Sequence, residues 1–235
     1  MKNKGFLICF TGMDGSGKTT LSKELVELLN KKGVKCRYVY GRLNPIILKP
    51  FILIGDWLFL RGKDISKNYS EYSNTKRKAI EKHSFLSKVY QQILMFDYSL
   101  QIFFKVKLPL IFGKNIVCDR YIYDTIITDL SVDMNYSKDK VISILNNLLR
   151  YFPRPDIIFL IDVPEKIAYQ RKDDTPAVEY LKERRKLYLD VGKAYKMVIL
   201  DGSKSLEDLK NSIQKEVFGK VKIFDRGWRC GNSFG

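Results

Sequence analysis

The sequence predicts an α/β protein with a parallel sheet flanked by helices. Five short apolar segments have the length and composition of buried strands, and stretches with helical periodicity lie between them. These segments are residues 5–11, 35–40, 115–118, 156–162 and 197–200. A glycine-rich loop joins the first segment to a helix that ends near Gly33. Near-continuous apolar strands such as 156–162 are expected where helices cover both faces of a parallel sheet.

The glycine-rich loop fits the pattern G-x-x-x-x-G-K-[ST], which binds nucleotide phosphates. Its glycines lack a Cβ atom, so the backbone can turn tightly and direct several N–H groups at one anion. We expect Lys18 to be exposed at the mouth of the loop and to bind the terminal phosphates, and the Thr19 hydroxyl to bind Mg²⁺. The predicted nucleotide-binding residues are Gly12, Met13, Asp14, Gly15, Ser16, Gly17, Lys18, Thr19 and Thr20.

Polar residues follow the second and third predicted strands, at the edge of the sheet where α/β proteins bind ligands. Arg42 is a candidate for binding a second phosphate, and a solvated loop arginine is an equally good interpretation. Asp119 ends a buried strand next to the phosphate loop, where a carboxylate can organise Mg²⁺. Arg120 can donate two parallel hydrogen bonds to phosphate oxygens. The alternative for this Asp-Arg pair is a surface ion pair.

The middle of the chain, residues 45–112, is the least regular part. Residues 63–78 are polar and predict a loop, whereas 80–104 predict a helix with an apolar stripe that Pro109 and Gly113 should close. Two apolar stretches, 46–60 and 93–112, are too short or too charged to span a membrane. We interpret them as core or dimer-interface helices and expect a homodimer; peripheral membrane contact is the alternative.

The C-terminal part of the chain supplies a predicted lid. Residues 170–176 form a charged turn that contains Arg171 and Lys172, followed by a helix carrying Arg184 and Arg185. The last predicted strand leads through an Asp-Gly-Ser turn into a final amphipathic helix. We therefore predict one domain over residues 1–218 and a tail, 219–235, without a readable pattern.

Composition narrows the possible partners and location. The net charge of +16 would attract polyanions, but the basic residues are scattered and form no nucleic-acid motif, so no nucleic-acid partner is expected. Four cysteines without C-x-x-C spacing indicate a reducing compartment. Because the first strand begins within a few residues of Met1, we expect no signal peptide and a cytoplasmic protein.

The phosphate loop, the Asp-Arg-Tyr after a middle strand, the basic lid and the closing Asp-Gly-Ser turn occur in the order seen in thymidylate kinases, which this chain resembles. The motifs that carry the resemblance most clearly are residues 10–20 and 118–121. It implies a P-loop NTPase fold with a five-stranded parallel sheet, a dimer, and transfer of the γ-phosphoryl of MgATP to a nucleoside monophosphate, with dTMP as the leading acceptor. It also implies that the Asp14 carboxylate accepts a hydrogen bond from a sugar hydroxyl of the nucleotide that receives the phosphoryl group. The catalytic residues would be Lys18, Asp119, Arg120 and Arg171.

The acceptor site departs from the family pattern. Of the family's Arg-Glu-Pro-Gly-Gly segment only Arg42 carries over, and Tyr98 replaces an arginine of the long middle helix. Asp124 and Asp129 stand where the family has a serine and a thymine-reading glutamine. Ionised carboxylates only accept hydrogen bonds, so we predict that dTMP is a poorer acceptor than a hydroxyl-rich or amino-bearing one. The acceptor candidates are Asp14, Arg42, Tyr98, Tyr121, Asp124 and Asp129.

Two other functions stay open on the sequence. One is a kinase for a different small acceptor, namely a nucleoside, a sugar phosphate or a lipid-linked phosphate. The other is a nucleotide-binding protein without catalysis, which the complete loop and the basic lid disfavour.

Overall fold

The structure is a computed structural model that describes residues 5–44, 84–131, 136–171 and 178–221. Within these ranges the chain forms one five-stranded sheet in the order β2-β3-β1-β4-β5, and every neighbouring pair is parallel. The strands are β1 (Leu7–Gly12), β2 (Cys36–Tyr40), β3 (Asn115–Asp119), β4 (Ile157–Asp162) and β5 (Val198–Asp201). All five predicted strands are confirmed, with ends that differ by a residue or two.

Helices connect the strands. They are α1 (Lys18–Lys31), α2 (Ser84–Ile102), α3 (Leu108–Ile111), α4 (Ile122–Asp124), α5 (Lys138–Leu148), α6 (Glu165–Gln170), α7 (Val178–Ala194) and α8 (Leu206–Val221). Two π-helical segments, Phe103–Lys107 and Thr125–Ser131, continue α2 and α4. The predicted α/β class, with helices flanking a parallel sheet, is confirmed.

The central strand β1 lies in the core of the protein. All six of its residues are buried, as an unbroken apolar segment requires when helices cover both faces. Phe10 stacks on Phe159 of β4, with ring centroids 5.1 Å apart. Register places Phe10 beside Asp119 of β3 and Gly12 beside Ile161 of β4. The carboxyl ends of the three inner strands therefore meet at one edge, directly beneath the phosphate loop.

Of the two residues predicted to close the long middle helix, Pro109 does not end it, whereas Gly113 follows its end. The chain continues from α2 through the π-helical turn Phe103–Lys107 into α3. Pro109 has no backbone N–H to donate, and the π-helical turn directly before it is where the regular α-helical hydrogen-bond pattern is interrupted. The helical path ends at Ile111, and Gly113, with φ of 76°, follows it.

Several predictions fall outside the described residues: the apolar stretch 46–60, the loop 63–78, most of the lid, and the tail from residue 222. The last helix, α8, continues to Val221, three residues beyond the predicted end of the domain at residue 218. Within the described ranges, no helix combines the length and apolarity needed to cross a membrane.

Candidate active site

The phosphate loop joins β1 to the N-terminus of α1. The first turn of α1 contains no acidic side chain, so no carboxylate of the helix itself offsets the partial positive charge that faces the loop. Gly15 has φ of 77°, and a Cβ on it would lie 2.4 Å from the carbonyl oxygen of Ala168. The missing side chain therefore lets α6, which leads into the lid, lie directly against the loop.

Lys18 is buried, contrary to the expectation that it stands exposed at the loop mouth. Only 3% of the Lys18 surface is accessible to solvent, because the loop backbone surrounds the side chain. Its Nζ donates to the Met13 carbonyl and, at 3.1 Å, to Ser16 Oγ. Burial and the nearby charge of Arg120 lower the pKa of Lys18 to about 7. The amine therefore titrates close to neutral pH.

Thr19 and Asp119, the two predicted metal ligands, are hydrogen-bonded to each other. The Thr19 hydroxyl donates to Asp119 Oδ2 at 2.6 Å, and the Tyr38 hydroxyl donates to the same oxygen at 2.9 Å. Asp119 is fully buried and its Oδ1 has no hydrogen-bond partner. Burial, and then the Asp119 carboxylate, raise the pKa of Tyr38 well above its ordinary value, so the phenol stays a donor.

Arg120 follows β3 in a left-handed backbone conformation, with φ of 65°. Its N–H donates to the carbonyl of Phe10 at 2.9 Å, which fixes the turn against β1. Gly41 approaches the same turn, and a Cβ on it would lie 2.5 Å from the Arg120 carbonyl oxygen. The absence of a side chain at residue 41 therefore leaves room for this conformation.

The Arg120 side chain lies between two carboxylates. It forms an ion pair with Asp14 of the loop, and its Nη1 lies 3.6 Å from Asp124 Oδ1. Burial alone would lower the pKa of Arg120, but Asp124 and Asp14 more than offset this and raise it. Asp124 in turn accepts from the Tyr121 N–H and from the Tyr188 hydroxyl, both at 3.0 Å. Arg120 is thus held in place from two sides.

A cavity of about 380 Å³ opens in front of the loop. Its lining residues are Asp14, Gly15, Ser16, Gly17, Lys18, Thr19, Arg120 and Arg171. Arg171 follows α6 and also donates to the Gly202 carbonyl at 3.1 Å. The structure therefore brings the predicted catalytic groups Lys18, Arg120 and Arg171 to one cavity. Lys172 lies outside the described residues.

The acceptor candidates are mostly core residues, which corrects the expectation that they line a pocket. Tyr98 is fully buried and donates to the Gly41 carbonyl at 2.8 Å, and Tyr121 is fully buried and donates to the Pro153 carbonyl at 2.9 Å. Asp124 is fully buried beneath Arg120. Arg42 is half-buried, and the Asp129 side chain is not among those described.

Sequence reasoning missed Tyr38 and Tyr188 and gave no role to Arg184. Arg184 is buried, stacks on the Tyr180 ring at 3.3 Å and donates to the Thr128 carbonyl at 3.2 Å. Tyr180, Arg184 and Tyr188 are spaced four residues apart, which places them on one face of α7. This four-residue spacing is the signal in the sequence that could have identified the face.

Strand order, loop geometry and the charges around the cavity define an α/β protein of the P-loop nucleotide-binding class. Comparison with known proteins narrows this class. The family model described as thymidylate kinase matches residues 67–213, and the one described as adenylylsulphate kinase matches residues 4–43, the region of the phosphate loop. The chain therefore belongs to the thymidylate kinase family and is a phosphotransferase.

Individual relatives agree with this assignment. The chain is 28% identical to thymidylate kinase of Plasmodium falciparum, over 94% of this chain and 93% of the relative. It is 30% identical to probable thymidylate kinase 1 of Saccharolobus solfataricus, over 90% and 98% respectively. The solved structure of thymidylate kinase from Candida albicans superimposes with a TM-score of 0.59 at 17% identity and covers 92% of each chain, which supports the fold.

Proposed function

We propose that this protein transfers the γ-phosphoryl group of ATP to dTMP, producing ADP and dTDP. The observation that carries the proposal is the meeting of Lys18, Arg120 and Arg171 at the cavity in front of the phosphate loop. Relatives named thymidylate kinase that match nearly the whole chain support dTMP as the acceptor.

The donor would be held by the loop. Phosphoryl transfer requires little covalent chemistry from a protein, so catalysis consists of positioning and of neutralising charge on the phosphate oxygens. Lys18 would bind the β- and γ-phosphates, and Arg120 and Arg171 the transferring group. Closure of a lid at residues 170–176 would exclude water, which otherwise competes with the acceptor.

The residues next to the loop fit Mg²⁺. Hydroxyl and carboxylate oxygens are the ligands this ion prefers, and the buried Oδ1 of Asp119 has no other partner. The Thr19 hydroxyl donates its hydrogen bond to Asp119, which leaves the lone pairs of the Thr19 oxygen for a cation. Thr19 and Asp119 would hold the ion, which would supply positive charge to the phosphates when bound.

On the acceptor side, Arg42 would bind the monophosphate. The expectation that two carboxylates repel thymine now depends on Asp129 alone, because Asp124 is occupied by Tyr188, the Tyr121 N–H and Arg120. The second candidate function is a kinase for another small acceptor. It is favoured by Tyr98, whose hydroxyl binds the Gly41 carbonyl at the position where the family has an arginine.

A panel of acceptors incubated with MgATP and read as ADP release tests the proposal. It should contain dTMP, the other nucleoside monophosphates, a nucleoside and a sugar phosphate. We expect dTMP to stimulate ADP release and to be converted to dTDP. Release stimulated only by a nucleoside or a sugar phosphate, or equal release without an acceptor, would reject dTMP kinase activity.

We also propose a cytoplasmic homodimer built from one domain that begins in β1 and ends with α8. The support is an apolar face on α2 and the following π-helical turn, where Phe96 is 61% exposed and Phe104 62%. The other exposed apolar residues described there are Val89, Ile93, Leu100 and Phe103. Such a face is larger than isolated surface residues explain, and a second copy of the chain would cover it.

Light scattering tests the dimer. The expected particle has twice the 27.4 kDa mass of the chain at micromolar concentration, and Phe96→Glu should halve it. The matched control is Leu206→Glu, which places the same charge on an exposed leucine at the start of α8. A 27.4 kDa particle for the unaltered protein would rule the dimer out.

A further inference from the structure

We infer that Tyr38 is a positioning residue that determines which oxygen of Asp119 is available to the metal ion. The inference rests on the proposed function, because it assumes that Asp119 serves a nucleotide-bound cation. Its basis is an asymmetry in the carboxylate: Oδ2 receives hydrogen bonds from both Thr19 and Tyr38, whereas the equally buried Oδ1 receives none.

The fold holds the Tyr38 ring in a fixed place. In the β2–β3 register Tyr38 pairs with Val117 and Tyr40 pairs with Asp119, so the Tyr38 side chain reaches along the strand to the carboxylate. The ammonium of Lys23 lies 5.7 Å from the centre of the Tyr38 ring. Thr19 and Lys23 are four residues apart on α1 and share a helix face. One face of α1 therefore positions both hydroxyl donors relative to Asp119.

Two donors on one oxygen have a different effect from one donor on each. A carboxylate held by the Thr19 hydroxyl alone can rotate about its terminal bond and offer either oxygen. With Tyr38 as the second donor, Oδ2 is occupied from two directions, and rotation would break both hydrogen bonds. Oδ1 is then left as the oxygen that meets a cation or its bound water. Loss of such an outer partner typically lowers metal affinity by about 10- to 100-fold.

The test is Tyr38→Phe, which removes one hydroxyl and keeps the ring beneath Lys23. Free Mn²⁺ is titrated into the protein with ADP and measured by its electron paramagnetic resonance signal. We expect the dissociation constant for Mn²⁺ to rise about tenfold. The Mg²⁺ concentration for half-maximal dTDP formation should rise by a similar factor, whereas turnover at saturating Mg²⁺ should stay within about twofold of the unaltered protein.

The matched control is Tyr40→Phe, on the same face of the same strand, where the side chain is 44% exposed. It should leave Mn²⁺ affinity and Mg²⁺ dependence unchanged. The midpoint of thermal unfolding is measured for each variant to confirm that it is folded at the assay temperature.

The outcomes separate this inference from the proposed function. If Tyr38→Phe binds Mn²⁺ as tightly as the unaltered protein, Tyr38 does not position Asp119. A loss of turnover that is the same at every metal concentration would also overturn the inference, since it indicates a structural role. If the unaltered protein with ADP binds no Mn²⁺, the proposed metal site itself is wrong and the inference fails with it.

Discussion

The two sides of the cavity are built in different ways. On the donor side, consecutive residues of one loop line a common cavity, and Arg120 joins them from the turn that follows the neighbouring strand. Asp119, the last residue of that strand, lies buried against Thr19. On the acceptor side, Tyr98 of α2 and the residues Tyr121 and Asp124 at the two ends of the short α4 turn are buried as supports. The donor side depends on local backbone geometry, which a motif specifies. The acceptor side depends on tertiary packing, and a single substitution there can change whether a side chain lines the cavity or is buried.

On the donor side, replacement of Lys18 should lower the rate of phosphoryl transfer more than any other change. We expect Lys18→Ala to reduce turnover on the order of 10²-fold or more, because it removes a preorganised positive charge from the phosphates. Steady-state ADP release measures the effect, and circular dichroism confirms the fold. Lys31→Ala, an exposed lysine in the last turn of the same helix, should retain activity. Near-normal turnover in Lys18→Ala would mean that this loop is not catalytic.

Removing a hydrogen bond to Asp124, which lies beneath Arg120, should lower the stability of the protein. Tyr188→Phe removes the hydroxyl that Asp124 accepts at 3.0 Å, and leaves a buried carboxylate with one donor fewer. We expect the free energy of unfolding to fall by about 2 kcal/mol, measured by urea denaturation. Tyr151→Phe, at a tyrosine that is 74% exposed, should change it by less than about 0.5 kcal/mol. Equal stabilities for the two variants would argue against a supporting network.

The acceptor side should be improved by Asp129→Gln if its carboxylate faces thymine. An amide can both donate to and accept from a base edge, whereas an ionised carboxylate only accepts. We expect kcat/KM for dTMP to rise roughly tenfold, about 1.4 kcal/mol, relative to a second nucleoside monophosphate assayed in parallel. An unchanged ratio would show that Asp129 points away from the base.

The smallest expected effect is a proton taken up on nucleotide binding. Lys18 has a pKa of about 7, so at pH 8 it is mostly neutral, and anionic phosphates should restore its charge. Calorimetry of ADP binding at pH 8, in buffers of different ionisation enthalpy, should show uptake of roughly 0.9 proton. Lys18→Ala should abolish this uptake, and uptake that persists in that variant would assign it elsewhere.

The same shift has a consequence for stability. The folded-state pKa of Lys18 is below the ordinary lysine value of 10.5, so between pH 7 and 10.5 the unfolded chain binds more protons than the folded one. The contribution of Lys18 to the free energy of unfolding therefore becomes more favourable as pH rises through this range.

Local rules predicted the strands, the loop and the Thr19–Asp119 pair, because apolar runs and glycine spacing act over a few residues. Pro109 was expected to close the middle helix, but the π-helical turn before it lets the helical path continue through the proline. Tyr98 was expected to contact the acceptor because it takes the place of a family arginine, and Tyr121 because it ends the Asp-Arg-Tyr motif. Only packing reveals that their hydroxyls bind the carbonyls of Gly41 and Pro153.

The left-handed backbone at Arg120 bears on how this protein could evolve. For a residue other than glycine, such a conformation costs on the order of 1–3 kcal/mol. A glycine would relieve that cost, but it would remove the guanidinium from the cavity. The same change would leave the buried carboxylates of Asp14 and Asp124 without their cation, which typically costs about 3–5 kcal/mol. Laboratory selection for heat resistance should therefore keep arginine at residue 120, and the ion pairs offset the strain of its backbone.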